Sequence, residues 1–153
     1  MHITKENIDE FINGTTMDCS NMDITYIEYI PETITHLHCS NNQLTELPHL
    51  PEGLVILHCE NNNLTELTIL PESLKYLNCY DNQLTKLPIL PENLMHLNCY
   101  HNNLTELPML PESLISLYCV ANNLPYLITI DNFKEHNTLL KRKEILEKIR
   151  LCH

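Results

Sequence analysis

Residues 74–93 read LKYLNCYDNQLTKLPILPEN, and residues 94–113 read LMHLNCYHNNLTELPMLPES. Residues 54–73, LVILHCENNNLTELTILPES, keep the same spacing. Cys39, Cys59, Cys79, Cys99 and Cys119 stand 20 residues apart, and Cys19 extends the series one step back. A fixed period means one small structural unit stacked on copies of itself, so each position of the unit can be read as a column. The units begin at Ile34, Leu54, Leu74, Leu94 and Leu114. A degenerate first unit fills the signature with Gly14, Met17, Cys19, Met22 and Ile24, and the last loses its L-P-E ending. Atypical end units are expected where a stack must stop.

Within L-x-x-L-x-C, the fourth and sixth positions alternate with polar ones, the pattern of a short strand with one buried face. A single such strand cannot bury that face alone. Stacked in parallel at about 4.8 Å, the strands align Leu37, Leu57, Leu77, Leu97 and Leu117 into one core column. The cysteines form a second, and Leu44, Leu64, Leu84, Leu104 and Leu124 a third. Asn42, Asn62, Asn82, Asn102 and Asn122 fall in the turn after each strand, where an inward amide can bond backbone groups left unpaired. In L-P-x-L-P-E, Pro48/Pro51, Pro88/Pro91 and Pro108/Pro111 fix φ, so the outer side is expected to be extended and polyproline-like.

The chain has 153 residues, enough for one domain with a core. No apolar stretch reads as a secretory leader, and none approaches a membrane span. The six periodic cysteines are expected to be buried, reduced and structural, in an intracellular, cytoplasmic protein. Side chains on neighbouring parallel strands are poorly aimed for a disulfide, and one thiol per coil fits no tetrahedral metal site. Residues 1–130 hold three basic against sixteen acidic residues, while residues 131–153 hold six against four. The repeats should therefore repel nucleic acid and anionic membranes and favour a protein with a basic surface.

The ends read as helical caps. Residues 1–13 contain a short helix over Thr4–Ile12, with Thr4 as N-cap and Gly14 as its stop. Residues 14–133 are about six 20-residue units. Residues 134–153 carry a C-terminal helix opening near Asn137 or Thr138, its face of Leu139, Ile145, Leu146 and Ile149 expected to close the last coil.

Candidate binding residues lie on the outward strand positions. The third column reads Thr16, His36, Ile56, Tyr76, His96, Ser116, and the fifth Asp18, His38, His58, Asn78, Asn98, Tyr118. The seventh reads Ser20, Ser40, Glu60, Tyr80, Tyr100, Val120. Tyr76, Tyr80, His96, Tyr100 and Tyr118 crowd one half, and His36, His38 and His58 the other. Exposed tyrosine gives large contact area at low entropic cost, so these eight residues are the expected partner-binding surface. His36, His38, His58 and Glu60 also raise the question of a metal ion, but no ligand set or second shell is legible and none is expected. No Gly-rich phosphate loop, nucleophile elbow or His/Cys/Asp constellation stands outside the repeat, so neither enzyme activity nor a cofactor is expected.

The consensus L-x-x-L-x-C-x-x-N-x-L-T-x-L-P-x-L-P-E, over roughly residues 30–130, resembles the short bacterial-type leucine-rich repeat of effectors that enteric pathogens inject into host cells. It is also similar to leucine-rich-repeat proteins of giant amoeba-infecting viruses. The resemblance implies an α/β-type solenoid with short parallel strands on its concave face. It also implies a non-enzymatic role, binding a partner protein, such as a host protein, on that face in the host-cell cytoplasm. Some bacterial relatives carry a C-terminal ubiquitin-ligase domain with a catalytic cysteine. About twenty residues follow the last repeat here, so that domain is not expected, and Cys152 is no substitute for its cysteine. A recognition subunit for ubiquitin-ligase machinery, docking through the C-terminal helix, is the alternative, with self-assembly through uncovered ends beside it. A monomer is expected.

Overall fold

The computed structural model describes residues 1–151, so Cys152 and the last residues of the expected 134–153 cap lie outside it. In chain order come β1 (His2–Ile3), a single 3-10 turn (Ile8–Phe11), β2 (Ile12–Asn13), β3 (Thr16–Asp18) and β4 (Tyr26–Ile27). The regular coils contribute β5 (His36–His38), β6 (Ile56–His58), β7 (Tyr76–Asn78), β8 (His96–Asn98) and β9 (Ser116–Tyr118). Helix α1 (Phe133–Leu151) follows.

Strands β3 and β5 to β9 pair in parallel, each with the next, and the register repeats the sequence period. Leu37 stands opposite Leu57, Leu57 opposite Leu77 and Leu77 opposite Leu97. Each fully buried leucine contributes about 2 kcal/mol relative to leaving it in water. The interior holds more columns than the three expected. Leu47, Leu67, Leu87 and Leu107 are buried too, as are Leu50, Leu70, Leu90 and Leu110, which line the core from the outer side. That side is extended, as the prolines require, and closes with one turn per coil, Leu54 N–H donating to Pro51 O at 3.0 Å.

The asparagine ladder does what an inward amide must. Asn82 Nδ2 reaches the carbonyls of Cys59 (3.0 Å), Cys79 (3.2 Å) and Tyr80 (3.3 Å), and its Oδ1 accepts from Leu64 N–H at 2.9 Å. The residue before each ladder asparagine turns the chain with positive φ: Asn41 (54°), Asn61 (53°), Asp81 (53°), His101 (52°) and Ala121 (56°). Asn and Asp tolerate that region best among residues with a side chain, which accounts for the doubled asparagines of Asn41-Asn42 and Asn61-Asn62.

The N-terminal end differs from the expected helix. Only one 3-10 turn forms, because β1 pairs with β4 and β2 pairs antiparallel with β3, and both pairings draw backbone groups away from a helix. Asn7 precedes the 3-10 turn without capping it through its side chain: its Oδ1 accepts from Thr4 N–H at 2.8 Å, and Thr4 Oγ1 accepts from Glu6 N–H at 3.4 Å. Ile12 stands opposite Met17 and Asn13 opposite Thr16, leaving Gly14 and Thr15 as a two-residue hairpin turn. Gly14 takes φ 63°, so it makes a hairpin instead of stopping a helix. A nine-residue helix is marginal alone, whereas this hairpin buries Met17 and closes the sheet edge.

At the other end, α1 begins at Phe133, earlier than the sequence suggests, and anchors only its first turns. Phe133, His136 and Asn137 are buried. Asn137 Oδ1 accepts from Leu110 N–H at 2.9 Å while its Nδ2 donates to Leu110 O at 2.7 Å, splicing the helix onto the outer side of the coil before β9. Leu139, Ile145 and Leu146 stay at least half exposed. Arg142 falls in the middle of that face at 100° per residue, so it is a poor cover for a core. The core is closed by buried Ile128, whose carbonyl accepts from Cys119 Sγ at 3.1 Å.

Candidate functional site

Alternation along each three-residue strand turns leucine inward and its two neighbours outward, so the outward columns form one continuous face. On it Tyr76 and His96, paired across β7 and β8, stack with ring centroids 4.4 Å apart and planes 9° from parallel. Beside them lies a shallow groove of about 200 Å³, bounded by His58 on one side and Tyr118 on the other, with Asn78 and Asn98 in its floor. Tyr118 is 62% exposed and ends the face.

Three of the five residues expected in the tyrosine-rich half therefore meet: Tyr76, His96 and Tyr118. Tyr80 and Tyr100 do not line the groove. They occupy the seventh column, where the strand runs into its turn. Tyr80 Oη accepts from Asn61 Nδ2 at 3.0 Å, and Tyr100 lies against the His101 ring at 5.9 Å. His58 joins the groove rather than standing apart with the other histidines. Its ring is 5.0 Å from that of His38, and its Nδ1 is 3.6 Å from Glu60 Oε1. His36 is held by Thr35 Oγ1 at 2.8 Å. Among the described residues no cluster of three or more His, Cys, Asp or Glu groups is placed to hold a metal ion.

The groove's polar floor comes from the same outward columns as its rings. Asn78, Asn98 and Ser116 stand outward in the third and fifth columns and line the groove together with the rings. Glu60 stands outward in the seventh column, beside the histidines. In the structure its carboxylate lies down on the sheet, 12% exposed, with Oε2 buried and lacking a hydrogen-bond partner.

Beneath this face the cysteine column is inert. All six described cysteines are free and buried. Burial pushes the Cys19 and Cys79 thiols up to about 12 and Cys119 to about 11, and it holds Cys39, Cys59 and Cys99 well above the ordinary thiol value. None is poised as a nucleophile.

Residues 33–54 and 73–94 match the Leucine Rich Repeat family pattern. Together with the coil geometry, that decides the class. This is a leucine-rich-repeat solenoid of the bacterial type. Solved structures resemble it over most of its length. YopM from Yersinia enterocolitica is 39% identical with a TM-score of 0.71, over 74% of this chain and 26% of that one. The leucine-rich-repeat domain of a Shigella effector is 34% identical with a TM-score of 0.74, over 83% and 57%. YopM from Yersinia pestis, a leucine-rich effector protein, is 31% identical with a TM-score of 0.67, over 80% and 42%. This leucine-rich-repeat chain thus spans between 26% and 57% of the length of the chains it resembles. No curated protein matches its sequence. No helix of the described residues is long and apolar enough to cross a membrane.

Proposed function

We propose that this leucine-rich-repeat solenoid is a non-enzymatic module that binds a partner protein on its concave face, acting in the cytoplasm of a host cell. The observation that carries the reading is the groove between His58 and Tyr118, where the stacked Tyr76 and His96 present rigid aromatic area beside unpaired polar groups. Aromatic anchors ringed by polar atoms are how interfaces concentrate binding energy. The likeness to effector proteins supports an effector-like role.

The test compares capture of proteins from host-cell lysate by three forms: wild type, a Tyr76→Ala/Tyr118→Ala variant, and an Ile69→Ala/Ile89→Ala variant on the convex side. A partner kept by the convex variant and lost by the concave one supports the reading. A partner captured equally by all three overturns it.

One observation favours the adaptor alternative: Leu139, Ile145 and Leu146 of α1 remain at least half exposed, leaving an element free to dock on ubiquitin-ligase machinery. Self-assembly draws on the outer edge of β9. Cys99 N–H donates to Tyr118 O and His101 N–H to Val120 O, yet their counterparts Cys119 and Ala121 have no backbone acceptor among the described residues.

A further inference from the structure

The fifth column holds a local rule and one departure from it. Asp18 Oδ1 accepts from Ser20 N–H at 3.0 Å, and Asn98 Oδ1 accepts from Tyr100 N–H at 3.2 Å, each side chain folding back onto the amide two residues on. Asn78 does not fold back. Its Oδ1 is buried with no partner, in the groove floor between the Tyr76 ring and the turn. One coil earlier Glu60 repeats the omission. Its Oε1 faces His58 Nδ1 at 3.6 Å, longer than a good hydrogen bond, and Oε2 has none.

Two neighbouring coils thus hold two unpaired acceptors on the same face, one of them on a carboxylate. Buried acceptors left without donors cost stability, which a donor from outside returns. The fitting group carries several N–H donors and a positive charge. A lysine ammonium meets the charge, but it is a compact point that does not stack. A guanidinium presents its donors in a planar fork and packs flat on aromatic faces. Tyr76, 37% exposed, offers such a ring: His96 stacks on one side of it, Ile56 stands opposite it on β6, and His58 lines the groove beside them. The strongly acidic repeat region draws a cation to this place.

We propose that the groove is an arginine pocket. On the reading that the concave face binds a protein, the partner inserts an arginine whose guanidinium stacks on Tyr76 and donates to Asn78 Oδ1 and Glu60 Oε2. The carboxylate is reached by a change of side-chain rotamer, not by opening the backbone.

The experiment titrates the ¹⁵N-labelled full chain with N-acetyl-arginine methylamide, its uncharged isostere N-acetyl-citrulline methylamide, and N-acetyl-lysine methylamide. The arginine compound is expected to shift the amide resonances of Tyr76, Asn78 and His96 saturably, with a dissociation constant on the order of millimolar. Glu60→Gln, close in shape, is expected to weaken it about tenfold or more, and Asn78→Ala to weaken it as well. Undisturbed dispersion elsewhere in the spectrum shows that each variant is folded. Equal shifts with citrulline, equal affinity for lysine, no saturable shift, or unchanged binding in folded Glu60→Gln each overturn the arginine pocket. None of them touches the lysate comparison, whose loss of a partner in the Tyr76/Tyr118 variant stands or falls by itself.

Discussion

His38 and His58 lie ring against ring on neighbouring strands, centroids 5.0 Å apart, and their surroundings pull their proton affinities in opposite directions. Burial lowers His38 below its ordinary 6.5, and the adjacent His58 lowers it further. His58 is raised, chiefly by its side-chain interaction with Glu60, against the desolvation that opposes it. NMR titration of the ring protons should therefore give His58 a midpoint above 6.5 and His38 one below. In Glu60→Gln the carboxylate charge is gone while desolvation stays, so the His58 midpoint should fall. A His58 midpoint that ignores Glu60→Gln would refute the pairing. The linkage has opposite signs for the two rings. His58, raised in the fold, adds stability that is complete below about 6.5 and fades as pH rises through its folded midpoint. His38, lowered in the fold, loses stability as pH falls from about 6.5 toward its own midpoint.

The asparagine ladder should be the costliest set of polar residues to remove. Asn82→Ala strands Leu64 N–H inside the stack, while the carbonyls of Cys59, Cys79 and Tyr80 lose one donor each but keep Asn62 Nδ2, Asn102 Nδ2 and Asn61 N–H. A buried unpaired group costs about 1–3 kcal/mol, so with the lost carbonyl bonds the expected net loss is about 2–3 kcal/mol. Asn122→Ala, in the more open last coil, should cost about 1 kcal/mol. Urea unfolding checks both, as a lowered midpoint at constant m. Equal losses in the two variants would mean that burial does not set the cost.

How much of this was legible in the sequence follows from what a period records. Twenty-residue spacing places a residue in a column, and alternation gives its side, so the inward Leu77 and Cys79 and the outward Tyr76 and His96 follow directly. A period says nothing about contacts between columns. The stack of Tyr76 on His96, the reach of Glu60 to His58 and the unpaired Asn78 oxygen depend on rotamers. At the ends, where repetition stops, column logic stops as well. Thr4–Ile12 had helical spacing, but the open edge of β3 offered β2 a better use of its backbone. Gly14, at the first position of the Gly14-Thr15 turn, carries the hairpin signal there.

The thiols should be slow to alkylate in the folded chain. With Cys79 near 12, about one molecule in ten thousand carries a thiolate there at pH 8, before access through the sheet is counted. Cys119, near 11 and in the last coil, should react about tenfold faster than Cys79 or Cys19. Peptide-resolved mass spectrometry after iodoacetamide treatment checks the order, and denaturant should erase it. Free-thiol rates at Cys79 in the native chain would contradict its burial.

Thr68 marks the one regular coil that lacks the first proline of the outer side, and its substitution tests why that proline is there. Pro48, Pro88 and Pro108 hold the equivalent place in the neighbouring coils, each after a buried leucine as Thr68 follows Leu67. The backbone is extended there in every coil, and the Thr68 amide has no backbone acceptor among the described residues. Proline would therefore sacrifice no hydrogen bond. Thr68 Oγ1 is buried without a partner, so the hydroxyl is a cost and not a contribution. Thr68→Pro removes that orphan and narrows the unfolded ensemble, the latter alone contributing about 0.4–1 kcal/mol. The expected net gain is about 1–2 kcal/mol, read as a higher urea midpoint, and Pro88→Thr should lose a similar amount. A lower midpoint for Thr68→Pro would show that the third coil follows a different path on its outer side from the coils around it.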